Sequence, residues 1–318
     1  GTDKYTANDI EKEMFKLGLS YSVYAAEERV YVSLSGLEES LEQGIVIFEH
    51  ILANLKSDQK AYDNMVLDIL KGRDDNKLSK GYIAYGMRNY GKYGENSPFK
   101  HIISAEDLSL ISVEDLISKI KELTSFEHYI YYYGRTEVEE VKGLLEQYHK
   151  VPQEFKSLIE PKEFAELDNK KNIVYFTDYD MVQSEITMMS KVSSYNKDLI
   201  PSARIFNEYF GGGLSSIVFQ EIRESKALAY SAYSYFTSPG KLDKSHYVQA
   251  YLGTQVDKLG DATDALLELM NNMPEVEKQF EGAKVAALKK IETSRTKRSR
   301  LFWSYLSAKE MGRDYDIN

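Results

Sequence analysis

The chain has 318 residues, 42% of them hydrophobic and 28% charged, with a formal net charge of −10. That length holds two domains of ordinary size with real cores, and the balance is globular rather than disordered; the acidity argues against general affinity for nucleic acid, whose phosphates call for a basic surface, and suits solubility or a chamber that accepts basic peptides. There is no cysteine, which excludes disulfides, thiolate zinc sites and cysteine nucleophiles together.

In chain order, Thr6 opens a first helix with Asp9 as its capping-box partner, an apolar stripe of Ile10, Met14 and Leu17, and Gly18 as its stop. Two strands follow at 19–26 and 29–35, tyrosine- and valine-rich and alternating in places, as half-buried antiparallel strands do. Gly36 breaks to a helix running to Leu55, with Leu41, Ile45, Phe48 and Leu52 on one face. Helical periodicity covers 59–71, 81–92 and 113–123, then a strand is predicted at 129–133 and a helix at 137–148. The stretch 149–171 carries Pro152, Pro161 and many charges, and reads as a linker. Beyond it strands are predicted at 172–176 and 183–190, and a helix at 202–210, interrupted by Gly211-Gly212-Gly213 and resumed over 216–224. Strands at 228–237 and 246–253 precede helices at 259–270, 275–293 and 299–311.

The chain repeats itself. Leu19-Ser20-Tyr21-Ser22-Val23-Tyr24 matches Leu228-Ala229-Tyr230-Ser231-Ala232-Tyr233, and each copy is preceded by a helix and followed by a second strand, a glycine (Gly36, Gly253) and another helix. A six-residue match with four identities alone carries little in a chain with 25 tyrosines, but the shared order of elements points to duplication. Strands and helices without regular βαβ alternation give an α+β class, antiparallel sheets with helices on one face. The expected organisation is an incomplete unit over 1–150 lacking its first strand and helix, a linker at 151–171, and a second unit over 172–318 lacking its last elements.

The segment richest in chemistry runs from Gly211-Gly212-Gly213 through Ser215-Ser216-Ile217-Val218-Phe219-Gln220-Glu221-Ile222-Arg223-Glu224 to Leu228-Ala229-Tyr230-Ser231. A phosphate cradle would need a preceding strand and a closing Gly-Lys-Ser/Thr, and neither is present. Arg223, near a helix end, and Tyr230, just inside a strand, could reach one cleft wall and donate hydrogen bonds to a peptide carbonyl. Side-chain chemistry alone favours a surface arginine paired with a nearby glutamate and a tyrosine whose ring is core.

This segment resembles the signature of the C-terminal domains of M16 metallopeptidases, the pitrilysin/insulinase type, in which a glycine-rich turn leads into Ser-Ser-x-x-Phe-Gln-Glu-x-Arg-Glu and a Leu-Ala-Tyr-Ser strand. The resemblance extends over both copies and implies that Arg223 and Tyr230 hold peptide substrate opposite a zinc ion. It also implies that the zinc lies elsewhere. The family's inverted motif, His-x-x-Glu-His, is matched by none of the five histidines; the nearest approach, Val46-Ile47-Phe48-Glu49-His50, has valine at the first ligand and sits on the wrong element. Ile69 stands where the third-ligand glutamate belongs, and Met14 where the second copy has Arg223. The chain is thus expected to contain no catalytic or metal-binding residue of its own. It reads as the C-terminal half of a zinc endopeptidase, forming chamber wall and contributing substrate-binding residues, with zinc in an N-terminal half. The alternative is a non-catalytic subunit or scaffold that pairs with a separate zinc-bearing subunit.

The basic stretch Lys284, Lys289, Lys290, Arg295, Lys297, Arg298, Arg300 reads as an exposed helical face rather than a nucleic-acid site, and Tyr82, Tyr85, Tyr90 and Tyr93 as packing. No apolar run approaches the ~18 residues that would span a bilayer. The chain opens on Gly1 without a signal peptide and closes without an obvious terminal element, so both ends are expected to be cut from a longer protein. Cytoplasm and periplasm both suit it, with a lean to a bacterial envelope.

Overall fold

A computed structural model describes residues 1–26, 28–168 and 170–315. The chain forms two compact units whose segments alternate along the sequence: Gly1–Ser79 with His101–Glu163, and Lys80–Lys100 with Phe164–Asn318. The last crossing between them, after Glu163, lies inside the 151–171 stretch, whereas 80–100 gathers with residues far downstream.

In the first unit, helix α1 (Ala7–Lys16) begins with the capping box read from sequence: Thr6 Oγ1 accepts from Asp9 N at 3.2 Å and Asp9 Oδ2 accepts from Thr6 N at 3.1 Å. Gly18, at φ +63°, reverses the chain where a side chain would be strained. Strands β1 (Leu19–Ala26) and β2 (Arg29–Gly36) then pair antiparallel from Leu19↔Gly36 to Ala26↔Arg29. Helix α2 (Leu41–Asn54) packs with α1 and this hairpin through Ile10, Met14 and Ile51, joined by Leu19, Leu34 and Ile47. After α3 (Gln59–Lys77) the chain leaves this unit for α4 (Lys80–Tyr93). It returns through α5 (Ala105–Leu110), α6 (Val113–Lys121) and α7 (Val138–Tyr148). Tyr62, Val66, Leu108 and Val113 make the core between α3, α5 and α6.

The second unit holds a three-stranded antiparallel sheet of β3 (Gln183–Ser194), β4 (Ser231–Thr237) and β5 (Ser245–Gln255), in the order β3-β5-β4. Along β4 the pleat shows plainly: Ala232 and Ser234 are buried while Tyr233 and Tyr235 are exposed. The buried face meets α8 (Ile200–Phe206), the 216–225 segment, α9 (Leu259–Asn271) and α10 (Glu277–Arg295). Phe210, Ile222, Leu252 and Leu266 are almost wholly buried there. Helix α11 (Leu301–Glu310) follows. On the other face α4 approaches β3 and β5, with Lys80 paired to Glu185 at 2.6 Å and the Lys92 ammonium 4.7 Å from the Tyr247 ring. Glu166 pairs with Lys92 at 2.9 Å and accepts from Ser245 N at 3.0 Å, which explains why 80–100 gathers with the later residues.

The fold is therefore α+β, as the element pattern requires. Both copies of the repeat lead an antiparallel hairpin, β1–β2 and β4–β5. Their glycines are not equivalent, since Gly36 faces Leu19 but Gly253 faces Ser231, three positions further along the match. Two predicted strands are absent: 129–133 and 172–176 have no ladder partner among the described residues, and strand propensity without a partner does not make a strand.

Candidate functional site

Helix α8 does not simply end at the glycines. It passes into a π-helical turn, Asn207–Gly211, whose Asn207 side chain both donates to Phe236 O at 3.0 Å and accepts from Phe236 N at 2.7 Å on β4. That clamp draws the turn against the strand. A Cβ at Gly211 would overlap the Ser234 carbonyl oxygen, so that position needs glycine for close approach, whereas one at Gly212 would meet only the hydroxyl end of the exposed Tyr235 side chain, which can move aside.

The chain re-enters helix after Ser216, buried, and turns π-helical again over Phe219–Ser225. Single π turns inside helices recur at functional sites because they re-aim the side chains that follow. Ile222 anchors this turn in the core with no exposure, which leaves its neighbour Arg223 facing outward, its side chain 40% exposed. The turn ends on Lys226 N donating to Glu221 O at 3.2 Å and Leu228 N to Ile222 O at 3.0 Å. Between them Ala227 lies at φ +48°, a left-handed conformation that alanine rarely adopts. Lys258 Nζ donates to its carbonyl at 3.0 Å. Tyr230 N then joins Gly253 O at 3.0 Å, and β4 begins.

The outcome is a small open cleft of about 340 Å³, walled by Arg223, Glu224, 227–230, Gln183, Gln255 and Lys258. The Arg223 guanidinium lies 4.8 Å from the Phe219 ring centre and 5.5 Å from that of Tyr230. Tyr230 is 73% exposed, so its ring is not core. Glu224 approaches Arg223 only to 3.7 Å, a loose contact that leaves guanidinium N–H groups for another acceptor. The two residues singled out in the sequence thus meet in one cleft. Sequence reasoning missed Gln183, Gln255 and Lys258, which come from β3, the end of β5 and the turn after it; nothing local marks them.

The donor set does not fit a zinc ion. Among the described residues no group of three or more His, Asp or Glu side chains is placed to hold a metal. In the 46–50 segment Glu49 is bonded to His149 Nδ1 at 2.8 Å, and His50 Nε2 to Thr2 Oγ1 at 3.0 Å and Asp3 at 3.2 Å. Ile69 packs against the apolar cluster of Tyr62 and Val66, and Met14 is buried with Ile10 and Ile51.

The model of the peptidase M16 inactive domain matches residues 111–285, more than half of the chain. The chain belongs to the peptidase M16 inactive-domain family. It is similar to the uncharacterized zinc protease YmxG of Bacillus subtilis (strain 168), 31% identical over 103 residues that make up 30% of this chain and 24% of that protein. It is 24% identical over 267 residues to an uncharacterized zinc protease of Rickettsia felis, covering 81% of this chain and 62% of the relative. In both comparisons the chain spans less than two thirds of the relative. A 25% identical zinc protease of Rickettsia bellii matches along the whole chain and is covered over 75% of its length. Among solved structures, the M16 inactive domain from Pseudomonas fluorescens superposes with a TM-score of 0.68 at 17% identity, over 100% of this chain and 76% of that one. The ferredoxin protease FusC, solved with Arabidopsis ferredoxin, superposes with a TM-score of 0.74 at 12% identity, over 97% of this chain and 34% of that one. These superpositions show the fold.

Proposed function

We propose that this chain is the non-zinc-binding C-terminal half of an M16-type zinc endopeptidase, forming chamber wall and presenting Arg223 and Tyr230 to a peptide. The observation that carries the reading is their convergence, exposed, on one cleft of the second unit. In this role Arg223 donates charge-assisted hydrogen bonds to peptide carbonyls, Tyr230 donates from its hydroxyl, and the Phe219 and Tyr230 rings hold the guanidinium in place. In this reading zinc and the water-activating chemistry it supplies belong to a separate half, since among the described residues no three His, Asp or Glu side chains are grouped to hold a metal.

A second reading places that zinc half on a different polypeptide, with this chain as a non-catalytic subunit. The Rickettsia bellii relative favours it: this chain already spans 75% of that protein, leaving little room for a zinc-bearing half of equal size. In both readings Tyr230 faces substrate. Placing a photo-crosslinking phenylalanine analogue at position 230 in the assembled enzyme should give an adduct with substrate peptide, and the same analogue at exposed Tyr24 on β1 should not. Hydrolysis of the peptide without any adduct at position 230 would remove the assignment.

A further inference from the structure

Two imidazoles of the first unit face each other with nothing between them but a hydrogen-bond length. His128 Nε2 and His149 Nε2 stand 2.9 Å apart. His128 Nδ1 lies 2.6 Å from the Phe126 carbonyl oxygen, which can only accept, so that nitrogen carries a hydrogen. His149 Nδ1 lies 2.8 Å from Glu49 Oε1, and an ionised carboxylate also only accepts, so this nitrogen carries one too. Two neutral rings so arranged would point bare lone pairs at each other across 2.9 Å, which is repulsive.

A metal ion does not resolve the conflict. Two nitrogens on one tetrahedral zinc at 2.0–2.1 Å would stand roughly 3.3 Å apart, and among the described residues no third donor completes a site. The observed separation is that of an N–H···N hydrogen bond. We infer that His128 and His149 share one additional proton, so that Glu49, His149, His128 and the Phe126 carbonyl form a single proton-dependent latch. His149 is the imidazolium, donating from Nδ1 to Glu49 and from Nε2 to His128; neutral His128 donates from Nδ1 to the carbonyl. Glu49 supplies the balancing charge, and both it and His149 are largely shielded, with side chains 20% and 13% exposed.

The latch joins three segments distant in sequence: Glu49 on α2, the turn after α6, and the end of α7, where His149 N also closes the helix on Leu145 O at 2.8 Å. The other charges on these elements are turned to partners of their own or to water. On α2, Glu42 accepts from Tyr148 Oη at 2.8 Å, and His50 is bonded to Thr2. Beside Phe126, Glu122 pairs with Lys156 at 3.2 Å. On α7, Lys142 faces Glu146 at 3.9 Å and Lys150 Nζ the Glu146 carbonyl at 3.3 Å. Glu127 and Glu154 are exposed, and against His128 from the 153–156 segment lies an apolar ring, Phe155, at 5.9 Å. Among the described residues Glu49 is therefore the one charge bonded to the pair.

Because the closed latch holds a proton that two separated neutral imidazoles lack, rising pH opens it. Where the closed form keeps that proton and the open form has lost it, the opening equilibrium shifts about tenfold per pH unit. The test is performed on this chain, independently of peptide binding. Long-range ¹H–¹⁵N correlations of the two rings should show His149 with both nitrogens protonated and His128 with Nδ1 alone. Amide exchange at 126–128 and 147–150, corrected for the intrinsic rate, should lose protection as pH rises. In His128→Gln a neutral amide can donate to His149 Nε2, so protection should persist and its pH dependence vanish. A bare Nδ1 on either ring, pH-independent protection in the unaltered chain, or unaltered pH dependence in His128→Gln would each overturn the latch.

Discussion

Replacing Arg223 separates a substrate contact from a packing contact, because the structure bounds what it contributes to folding. Its guanidinium stacks on two rings, at 4.8 Å and 5.5 Å, in a partly exposed site. Such contacts are worth about 0.5–1 kcal/mol each. The Glu224 contact at 3.7 Å, between side chains 40% and 53% exposed, adds almost nothing once screened by water. Arg223→Ala should thus cost about 1–2 kcal/mol of stability, or a few degrees in Tm for a chain of this size. A hydrogen bond from a charged group to a buried substrate carbonyl contributes roughly 1.5–3 kcal/mol, so kcat/KM of the enzyme assembled with its zinc-bearing half should fall about ten- to a hundredfold. Tyr230→Phe keeps the ring against which Arg223 stacks and removes only the hydroxyl. It should leave Tm unchanged and cost about two- to tenfold in kcat/KM. Steady-state kinetics on folded, assembled enzyme together with thermal melts read both quantities. Normal kcat/KM in both variants, with a lowered Tm in Arg223→Ala, would show that the pair serves packing alone.

Three further outcomes follow from the geometry. Ala227 at φ +48° carries backbone strain that glycine relieves, so Ala227→Gly should stabilise the chain by about 0.5–1 kcal/mol after the entropy of the unfolded glycine is subtracted; a loss of stability on urea denaturation would contradict the strain. Gly211→Ala should destabilise by about 1–3 kcal/mol, because the added methyl meets the backbone oxygen of Ser234 rather than a movable side chain, and an unchanged denaturation midpoint would refute that. Glu38 accepts from Tyr132 Oη at 2.7 Å, from Thr136 Oγ1 at 2.9 Å and from the amides of Arg135 and Thr136, and these bonds, the Tyr132 one foremost, lower its pKa from 4.5 to about 2. A depressed carboxylate stabilises above its unfolded pKa and loses that contribution as pH falls from 4.5 through about 2. Tm should therefore drop across that acid window, and Glu38→Gln should flatten the drop; an identical acid profile in the variant would refute the assignment.

Local chemistry was legible in the sequence wherever neighbours within a few residues decide the outcome. The Thr6–Asp9 capping box, the Gly18 stop, the β1–β2 hairpin and most helices follow from patterns spanning under a dozen residues. The segments 129–133 and 172–176 have the tyrosines and valines of strands, but a strand also needs a partner, which composition cannot supply. Placement of α4 with the later half rests on Lys92 meeting Glu166 and Tyr247, contacts over 74 and 155 residues of chain that no periodicity encodes. In the cleft, the seven-residue spacing of Arg223 and Tyr230 suggested one wall, whereas the π turns and the left-handed Ala227 that aim them are backbone events without a residue signature. The glycine of each repeat looked equivalent because the order of elements is shared; pairing register, set by the whole hairpin, places them differently.

On the proposed reading this chain recognises peptide but needs a zinc-bearing half to cleave it. The most direct measurement is peptide hydrolysis by the chain alone, by its zinc-bearing half alone, and by the two assembled, each with and without a metal chelator. The chain alone should show no turnover, and the assembly chelator-sensitive turnover that falls when the chain carries Arg223→Ala. Hydrolysis by the chain alone, or assembled turnover indifferent to Arg223 and Tyr230, would contradict it.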